Sequence, residues 1–323
     1  MIIQPLMRYV LREFTFDFVG ARGYATMFSA VLIVGSLLSL GTLGLNFGID
    51  FAGGVLIEAR APQAVELAPI RAKVNDLDLG DVSISTIGNE GRDITIRVQR
   101  QEGGDAAQSE ALNKVQAALG DGYEIRRTEV VGPKVGGELV VKGAMAIALA
   151  LIGIAIYVWI RFEWQYALGA LLSLTHDVIS ILGIFSLFQI QFDLNSVAAI
   201  LTITGISIND TVVVYDRVRE MLRKYKKLPL PDLLNLAINK VLARTLVTNV
   251  TVLLGVLALL FGGGDVLWGF SLALLWGVLI GSYSTVYAAL PILVYFDLRP
   301  DDMMTAKRPA GQVPEYERAP NTP

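Results

Sequence analysis

Residues 204–220 read TGISINDTVVVYDRVRE, an apolar stretch that carries Asn209 and Asp210. A stretch of this kind is typical of a membrane-spanning helix, where a central Asp costs roughly 2.5–3.5 kcal/mol to insert. An ionisable side chain at that depth therefore indicates a functional site, and it needs a charged or polar partner. The best partner by position is Arg244, at the start of the next apolar segment. The pair indicates a proton-coupled membrane protein rather than a soluble enzyme.

The composition of the whole chain agrees with a membrane location. Of the 323 residues, 53% are hydrophobic and 18% are charged, with a mean hydropathy of +0.53, whereas globular domains carry about 25% charged residues. About 20 apolar residues are needed to cross a bilayer, and backbone groups in lipid must bond internally, so each span should be a helix. Six segments qualify, and the last of them can continue to residue 296: 24–43, 143–160, 167–188, 194–215, 245–261 and 267–290.

The chain is therefore predicted to be a polytopic α-helical membrane protein with one soluble domain. The predicted parts are a cytoplasmic N-terminal segment (1–23), transmembrane helix 1 (24–45), an extracytoplasmic domain (46–138), transmembrane helices 2–6 (139–298) with a cytoplasmic loop at 216–243, and a disordered cytoplasmic tail (299–323).

Lysine and arginine placement predicts the orientation. Basic residues precede the first span, separate the second from the third, and crowd the connection between the fourth and fifth. The short connections on the other side hold only Asp193 and Asp265 among charged residues. Both termini are therefore expected in the cytoplasm.

The polar segment between the first two spans alternates strand and helix patterns. Strand patterns occur in VLIEARA (55–61), DVSISTIG (81–88), RDITIRVQ (92–99) and YEIRRTEVV (123–131), and helix patterns in AVELAPIRAKVNDL (64–77) and QSEALNKVQAALG (108–120). The order βαββαβ predicts a small α+β ferredoxin-like domain, with four antiparallel strands and two helices on one face. No metal cluster, nucleophile–base pair or phosphate loop occurs in it, so we expect a binding or docking module.

A second polar site is predicted in the third span, where His176 and Asp177 fall near the middle. Ionisable residues at this depth usually face the helix bundle. One hypothesis is a proton shuttle, because an imidazole titrates near neutral pH. The other is a buried polar pair that fixes the rotation of the helix or contacts a partner subunit. Both hypotheses stay open on the sequence.

Several small and polar residues surround the predicted proton site. Gly205 and Asn209 lie four residues apart and share a helix face. A hydrogen bond from Asn209 to the Asp210 carboxylate is one expectation for this site. Thr248 and Thr251 of the fifth span either do the same or serve as ordinary packing groups between helices.

Three glycine-containing stretches have structural interpretations. Gly277 and Gly281 form a G-x-x-x-G motif in the sixth span, which predicts close helix packing within the bundle or against a partner. FGIDFAGG (47–54) is expected to supply turns where the chain enters the first strand. VGPKVGGEL (131–139) is expected to be the linker back into the membrane.

Several function classes are excluded. A net charge of −3 predicts no nucleic-acid partner. The chain has no cysteine and one histidine, so neither a metal nor a cofactor is predicted. It also lacks the G-x-x-x-x-G-K-[ST] loop, so ATP is not its energy source. GGGD (262–265) fits the GxGD motif of intramembrane aspartyl proteases, and Tyr215–Asp216 fits their YD motif. These enzymes need the two carboxylates close together, whereas Asp216 and Asp265 are predicted on opposite sides of the bilayer. The chain is therefore not predicted to be an enzyme.

Four stretches together resemble the SecF family: FGIDFAGG, VGPKVGGEL, the HDV of 176–178 and GISINDTVVVYDRVRE (205–220). SecF is the smaller membrane subunit of the SecD–SecF accessory complex of the bacterial Sec translocase. The resemblance spans about residues 20–300, and INDTVVVYDR is its most specific part.

The resemblance implies more than the residues alone predict. The family resembles half of an RND-type transporter, so SecD would be an obligate partner that supplies six further helices. The complex would lie in the bacterial inner membrane. It would use the proton-motive force to drive late steps of protein export, together with the SecYEG translocon, its accessory subunits and unfolded exported polypeptides.

Two alternatives remain open on the sequence. One is a self-associating RND-like transporter of small molecules or lipids, which needs two copies of this six-helix set. The other is a scaffold that stabilises the translocase without moving protons, in which case Asp210 would be dispensable.

Overall fold

The computed structural model describes residues 15–80, 82–87, 91–101, 103–120 and 122–296. The first 14 residues of the predicted N-terminal segment and the predicted disordered tail (299–323) lie outside the described residues.

The described elements follow one another in an order that separates membrane helices from a small sheet. They are α1 (Arg22–Thr42), β1 (Asn46–Phe47), α2 (Ile49–Ala52), β2 (Gly54–Arg60), α3 (Leu67–Asn75), β3 (Val82–Ile87), β4 (Asp93–Gln99), α4 (Asp105–Leu119), β5 (Glu124–Val131), α5 (Pro133–Arg161), α6 (Trp164–Leu187), β6 (Gln191–Phe192), α7 (Leu194–Lys224), α8 (Leu230–Gly262), α9 (Gly264–Ser284), a π-helical turn (Thr285–Ala289) and α10 (Leu290–Tyr295).

Six helical segments in the described part of the chain are long and apolar enough to cross a membrane. They are α1, α5, α6, α7, α8, and the segment that runs from α9 through the π turn into α10. This confirms the predicted polytopic helical class.

The helix ends differ from the predicted ends at the charged connections. Helix α7 continues to Lys224 and α8 already begins at Leu230, so most of the predicted loop 216–243 is helical. Helix α5 begins at Pro133, with proline in its first turn, rather than at residue 143. The reason is that hydropathy locates only the part of a helix that lies in lipid. Arg, Lys, Glu, Leu and Met are good helix formers, so the helices continue past that part.

The soluble domain has the predicted βαββαβ order. Its sheet runs β3-β4-β2-β5 with every neighbouring pair antiparallel. Alternate strand residues point to one face and pack against α3 and α4, because side chains along a strand alternate sides. The buried residues of this core include Val55, Ile57, Ile94, Ile96, Val98, Ile70, Val74 and Val115. The arrangement confirms the ferredoxin-like domain.

The membrane helices divide into a central and a peripheral set. In α6, α7 and α9, half or more of the residues in the most apolar part of the span are buried within the protein. In α1, α5 and α8, few of the corresponding residues are buried. Two hydrophobic cores stabilise the bundle, one around Tyr166 and Tyr215 and the other around Phe185 and Ile200. The exposed apolar faces of the peripheral helices are suited to lipid or to a partner helix.

The FGIDFAGG stretch is more ordered than the predicted turn. Strand β1 pairs in parallel with β6, which directly precedes α7. Between β1 and β2 the short helix α2 places Asp50 so that its Oδ2 accepts a 3.0 Å hydrogen bond from the Leu194 N–H. The stretch therefore attaches the soluble domain to the first residue of α7.

Gly54 of this junction has to be a glycine. Gly54 has φ of +133°, and a Cβ there would lie 2.5 Å from the Val98 carbonyl oxygen. A residue with a side chain would be both strained and in collision with the backbone of β4.

Candidate functional site

Asp210 lies in α7 with only 5% of its surface exposed. At 1.5 Å per residue it is roughly 24 Å from the Leu194 end of the helix, well inside the apolar stretch. The Asn249 amide of α8 interacts with its carboxyl, and Asn249 Nδ2 also donates a 2.7 Å hydrogen bond to Ser282 Oγ of α9. Asp210 therefore lies where three helices meet, next to neutral polar groups.

The predicted ion pair between Asp210 and Arg244 is not formed within this chain. Arg244 is exposed, and among the described residues its guanidinium takes part in no ion pair at the 4.0 Å limit. The depth of the two residues is similar, since Arg244 is roughly 27 Å from the Gly262 end of α8. Their directions differ: Asn249 faces Asp210, and Arg244, five residues earlier, points roughly 140° away around the helix.

The other predicted neighbours of Asp210 also point elsewhere. Asn209 is exposed and makes no hydrogen bond to Asp210, so that prediction is wrong. A Cβ on Gly205 would meet no atom within 4 Å, so Gly205 and Asn209 share an open face of α7. Thr248 and Thr251 hydrogen-bond to carbonyl groups of their own helix, at 3.0 Å and 2.8 Å.

His176 and Asp177 of α6 both point into the bundle. They are 7% and 2% exposed, and His176 Nδ1 lies 3.2 Å from Asp177 Oδ1. The other carboxylate oxygen, Oδ2, accepts hydrogen bonds from Ser207 Oγ of α7 at 2.8 Å and from Ser284 Oγ of α9 at 2.9 Å. The buried carboxylate thus connects the three central helices.

Hydroxyl groups extend this polar cluster. Ser173 Oγ donates to Ser284 Oγ at 3.0 Å. Thr211 Oγ1 donates to the Ser207 carbonyl at 3.1 Å and lies 3.0 Å from Thr285 Oγ1 in the π turn. π-helical turns are frequent at functional sites, and this one follows α9 directly.

The role of these hydroxyl groups was not predicted from the sequence, although the spacing of polar residues in the third span indicates a buried polar face. Ser173, His176, Asp177 and Ser180 recur at three- and four-residue spacing in the third span, and all four are buried. A polar stripe at helical spacing inside an otherwise apolar span indicates a face directed toward other helices.

Gly277 and Gly281 make the close approach that their spacing predicts. A Cβ on Gly277 would lie 2.2 Å from Ile203 Cδ1, and one on Gly281 would lie 3.2 Å from Ser207 Oγ and 3.6 Å from Asp177 Oδ2. The two glycines therefore pack α9 against α7 within this chain, and Gly281 leaves room for the Asp177 carboxylate.

Family comparisons cover most of the chain. The family model described as "Protein export membrane protein SecD/SecF, C-terminal" matches residues 111–299. The model described as "SecD/SecF GG Motif" matches residues 38–65, which include Asp50 and Gly54.

Two relatives of similar length are both described as protein translocase subunit SecF. A protein translocase subunit SecF of Cereibacter sphaeroides is 47% identical over 86% of this chain and 89% of its own length. Another from Magnetococcus marinus is 46% identical over 90% of this chain and 95% of its own length.

A solved structure has the same fold over most of this chain. The crystal structure of SecDF, a translocon-associated membrane protein from Thermus thermophilus, matches with a TM-score of 0.77 and 32% identity, over 90% of this chain. The matched part is 39% of that longer protein. A super-membrane-facing form of SecDF matches with a TM-score of 0.67 over 92% of this chain.

Proposed function

The chain belongs to the SecF subunits of the SecD/SecF family of protein-export membrane proteins, and we propose that it converts proton movement into late steps of protein export. In this proposal it works as one half of an RND-type assembly in the bacterial inner membrane. SecD is the obligate second half, and the complex acts with SecYEG on unfolded polypeptides.

The need for a second half is supported by length and by exposed surface. This chain matches 39% of the SecDF protein, and in the proposal SecD supplies the rest of that assembly. The open face of α7 carries Gly205 and Asn209, and small and polar residues are typical of contacts between membrane helices. We assign this face to SecD.

Arg244 supports the same arrangement. A guanidinium at the edge of an apolar span is costly without a partner, and Arg244 makes no ion pair among the described residues of its own chain. In the proposal it pairs with an acidic group of SecD, at about the depth of Asp210.

The proposed function depends above all on the burial of Asp210. A carboxyl with 5% exposure among apolar helices is expensive to keep ionised and less so when protonated. Adding or removing a proton therefore changes how strongly Asp210 is held by its polar neighbours. A proton that crosses the membrane supplies about 2.3 kcal/mol per 100 mV of potential, which is available to move α7 relative to α8.

The orientation in this proposal has both termini in the cytoplasm. Its support is the concentration of basic residues next to the first, second and fourth spans on one side. The ferredoxin-like domain then lies outside the cytoplasm. Its proposed role is to contact the emerging polypeptide or SecD.

Protein export into inverted membrane vesicles tests the proposal. In a strain that lacks the native gene, vesicles with Asp210→Asn should lose the part of export that depends on the proton-motive force and keep the part driven by ATP. The matched control is Asp232→Asn, the same chemical change at an exposed position of α8. Normal proton-dependent export by Asp210→Asn would refute the proposal and favour a scaffold.

A further inference from the structure

The buried His176–Asp177 pair leaves one ring nitrogen unused. His176 Nδ1 faces the Asp177 carboxylate at 3.2 Å, whereas Nε2 is buried and has no hydrogen-bond partner among the described residues. An imidazole whose Nδ1–H donates to a carboxylate carries its lone pair on Nε2. A buried basic nitrogen without a donor is an open position for a proton.

The charge of the pair favours filling that position. A neutral imidazole beside a carboxylate leaves one uncompensated negative charge in a site that is 7% and 2% exposed, which is costly in an apolar interior. Two hydroxyl donors, Ser207 and Ser284, hold the carboxylate at Oδ2, and Nε2 of the imidazole is the polar atom of the pair that has no hydrogen-bond partner among the described residues. Compensation is then most direct when the imidazole takes the proton.

Few other charged groups compete for this role. Of the elements packed on α6, α9 contributes Tyr283, whose ring lies 6.1 Å from the imidazole, and the π turn contributes Tyr287, whose ring lies 5.2 Å from that of Tyr283. Helix α7 contributes Asp210, three residues beyond Ser207. Residues 23–42 of α1, 143–160 of α5 and 290–295 of α10 contain no charged residue, and their titratable groups are Tyr24, Tyr157 and Tyr295, all exposed.

We propose that His176 and Asp177 form a second proton-binding site of this subunit. Nε2 takes a proton from a hydronium ion and leaves water, and the imidazolium is then held by the Asp177 carboxylate. The site goes beyond the proposed function, which places its proton on Asp210. Its connection to that function is Ser207, which binds Asp177 and lies one turn from Asp210 on α7.

The sequence offers a direct test, because His176 is the single histidine of the chain. The chain is labelled with ¹⁵N-histidine, purified by a tag without histidine and reconstituted with unlabelled SecD. Solid-state ¹⁵N NMR then reports one imidazole from about pH 8 to about pH 5. We expect a neutral ring protonated on Nδ1 at the upper end and an imidazolium as the pH falls.

Substitution of the neighbouring carboxylate gives the sign of the interaction. In Asp177→Asn the ratio of imidazolium to neutral imidazole at a fixed pH should fall about tenfold, because the adjacent negative charge is lost. The matched control, Asp232→Asn, should leave the ratio unchanged.

Each outcome bears on the second site. A ring that stays neutral over the whole range, or a ratio unaffected by Asp177→Asn, would overturn the proposal. If Asp177→Asn fails to fold, the spectrum of the unsubstituted chain still decides. Normal export by Asp210→Asn would count against the proposed function and would leave this spectrum as it is.

Discussion

Asp50, in the stretch that leads into the soluble domain, accepts a 3.0 Å hydrogen bond from the backbone N–H of Leu194, the first residue of the helix that carries Asp210. Asp193 caps the same helix end through Ser196. Two carboxylates therefore meet the positive end of the α7 dipole. The soluble domain is in this way attached to the element proposed to move when Asp210 changes its charge.

Asp50→Ala should weaken this attachment. Loss of a side-chain acceptor at a helix N-terminus costs about 0.5–2 kcal/mol, so the free energy of unfolding should fall by about that much. The Leu194 amide should also exchange its hydrogen faster. Both quantities are measured on the intact chain. Asp76→Ala, at an exposed position after α3, is the matched control and should change neither; equal effects of the two substitutions would contradict the role of Asp50.

Gly205→Leu should impair assembly with SecD while leaving the subunit itself folded. The position is open within this chain, since a Cβ there meets nothing within 4 Å, but a bulky side chain would block a helix that packs on this face. Co-purification of SecD measures the effect. Gly153→Leu is the control, because Gly153 is also exposed and open but lies on α5. If Gly205→Leu retains SecD as well as Gly153→Leu does, the face is not the interface.

Arg244→Gln should reduce proton-dependent export at least tenfold with little change in the thermal stability of the isolated subunit. The reason is that Arg244 is exposed and makes no ion pair among the described residues, and the proposal places its partner on SecD. Export by inverted vesicles and thermal unfolding measure the two effects. Lys240→Gln, one turn toward the Leu230 end of α8 and also exposed, should behave like the unsubstituted protein. A large loss of stability in Arg244→Gln would point to a structural role instead.

The soluble domain should show acid sensitivity at one ion pair. Arg60 donates from Nε and an Nη to the two oxygens of Asp93 at 2.6 Å and 2.5 Å, and this hydrogen bonding lowers the pKa of the Asp93 carboxyl from its ordinary value. A lowered pKa stabilises the fold above the unfolded-state value and loses that contribution as the pH falls through the folded-state value.

The urea midpoint of the soluble domain, followed by proteolysis of the intact chain, tests this. The difference between the unsubstituted chain and Asp93→Asn should be present at pH 7 and should shrink progressively as the pH falls below about 4. Asp76→Asn, at an exposed carboxyl, is the control. A difference that persists undiminished at pH 2 would contradict the assignment.

The sequence predicted those features that depend on composition along the chain. Six apolar segments and an alternating βαββαβ pattern are enough to define the spans and the soluble domain, because lipid and a packed sheet each impose a length and a period. The burial of Asp210 followed for the same reason, since a charged group inside a span has to face other helices.

Features that depend on the rotation of one helix against another were not predictable. Arg244 has the depth expected of an Asp210 partner, but Asn249 is the residue of α8 that faces the carboxyl. Ser207 and Ser284 are unremarkable in sequence and gain a role only because α7 and α9 bring both hydroxyls to Asp177. The rotation of each helix depends on how its side chains pack against the neighbouring helices, and this packing cannot be derived from one sequence.

Proton flux through the reconstituted complex with SecD is the most direct test of Asp210 as the proton carrier. Under an imposed membrane potential, liposomes with the unsubstituted subunit and with Asp232→Asn should take up protons at the same rate, and Asp210→Asn should fall to the rate of protein-free liposomes. Flux through Asp210→Asn equal to that of the unsubstituted complex would contradict the account.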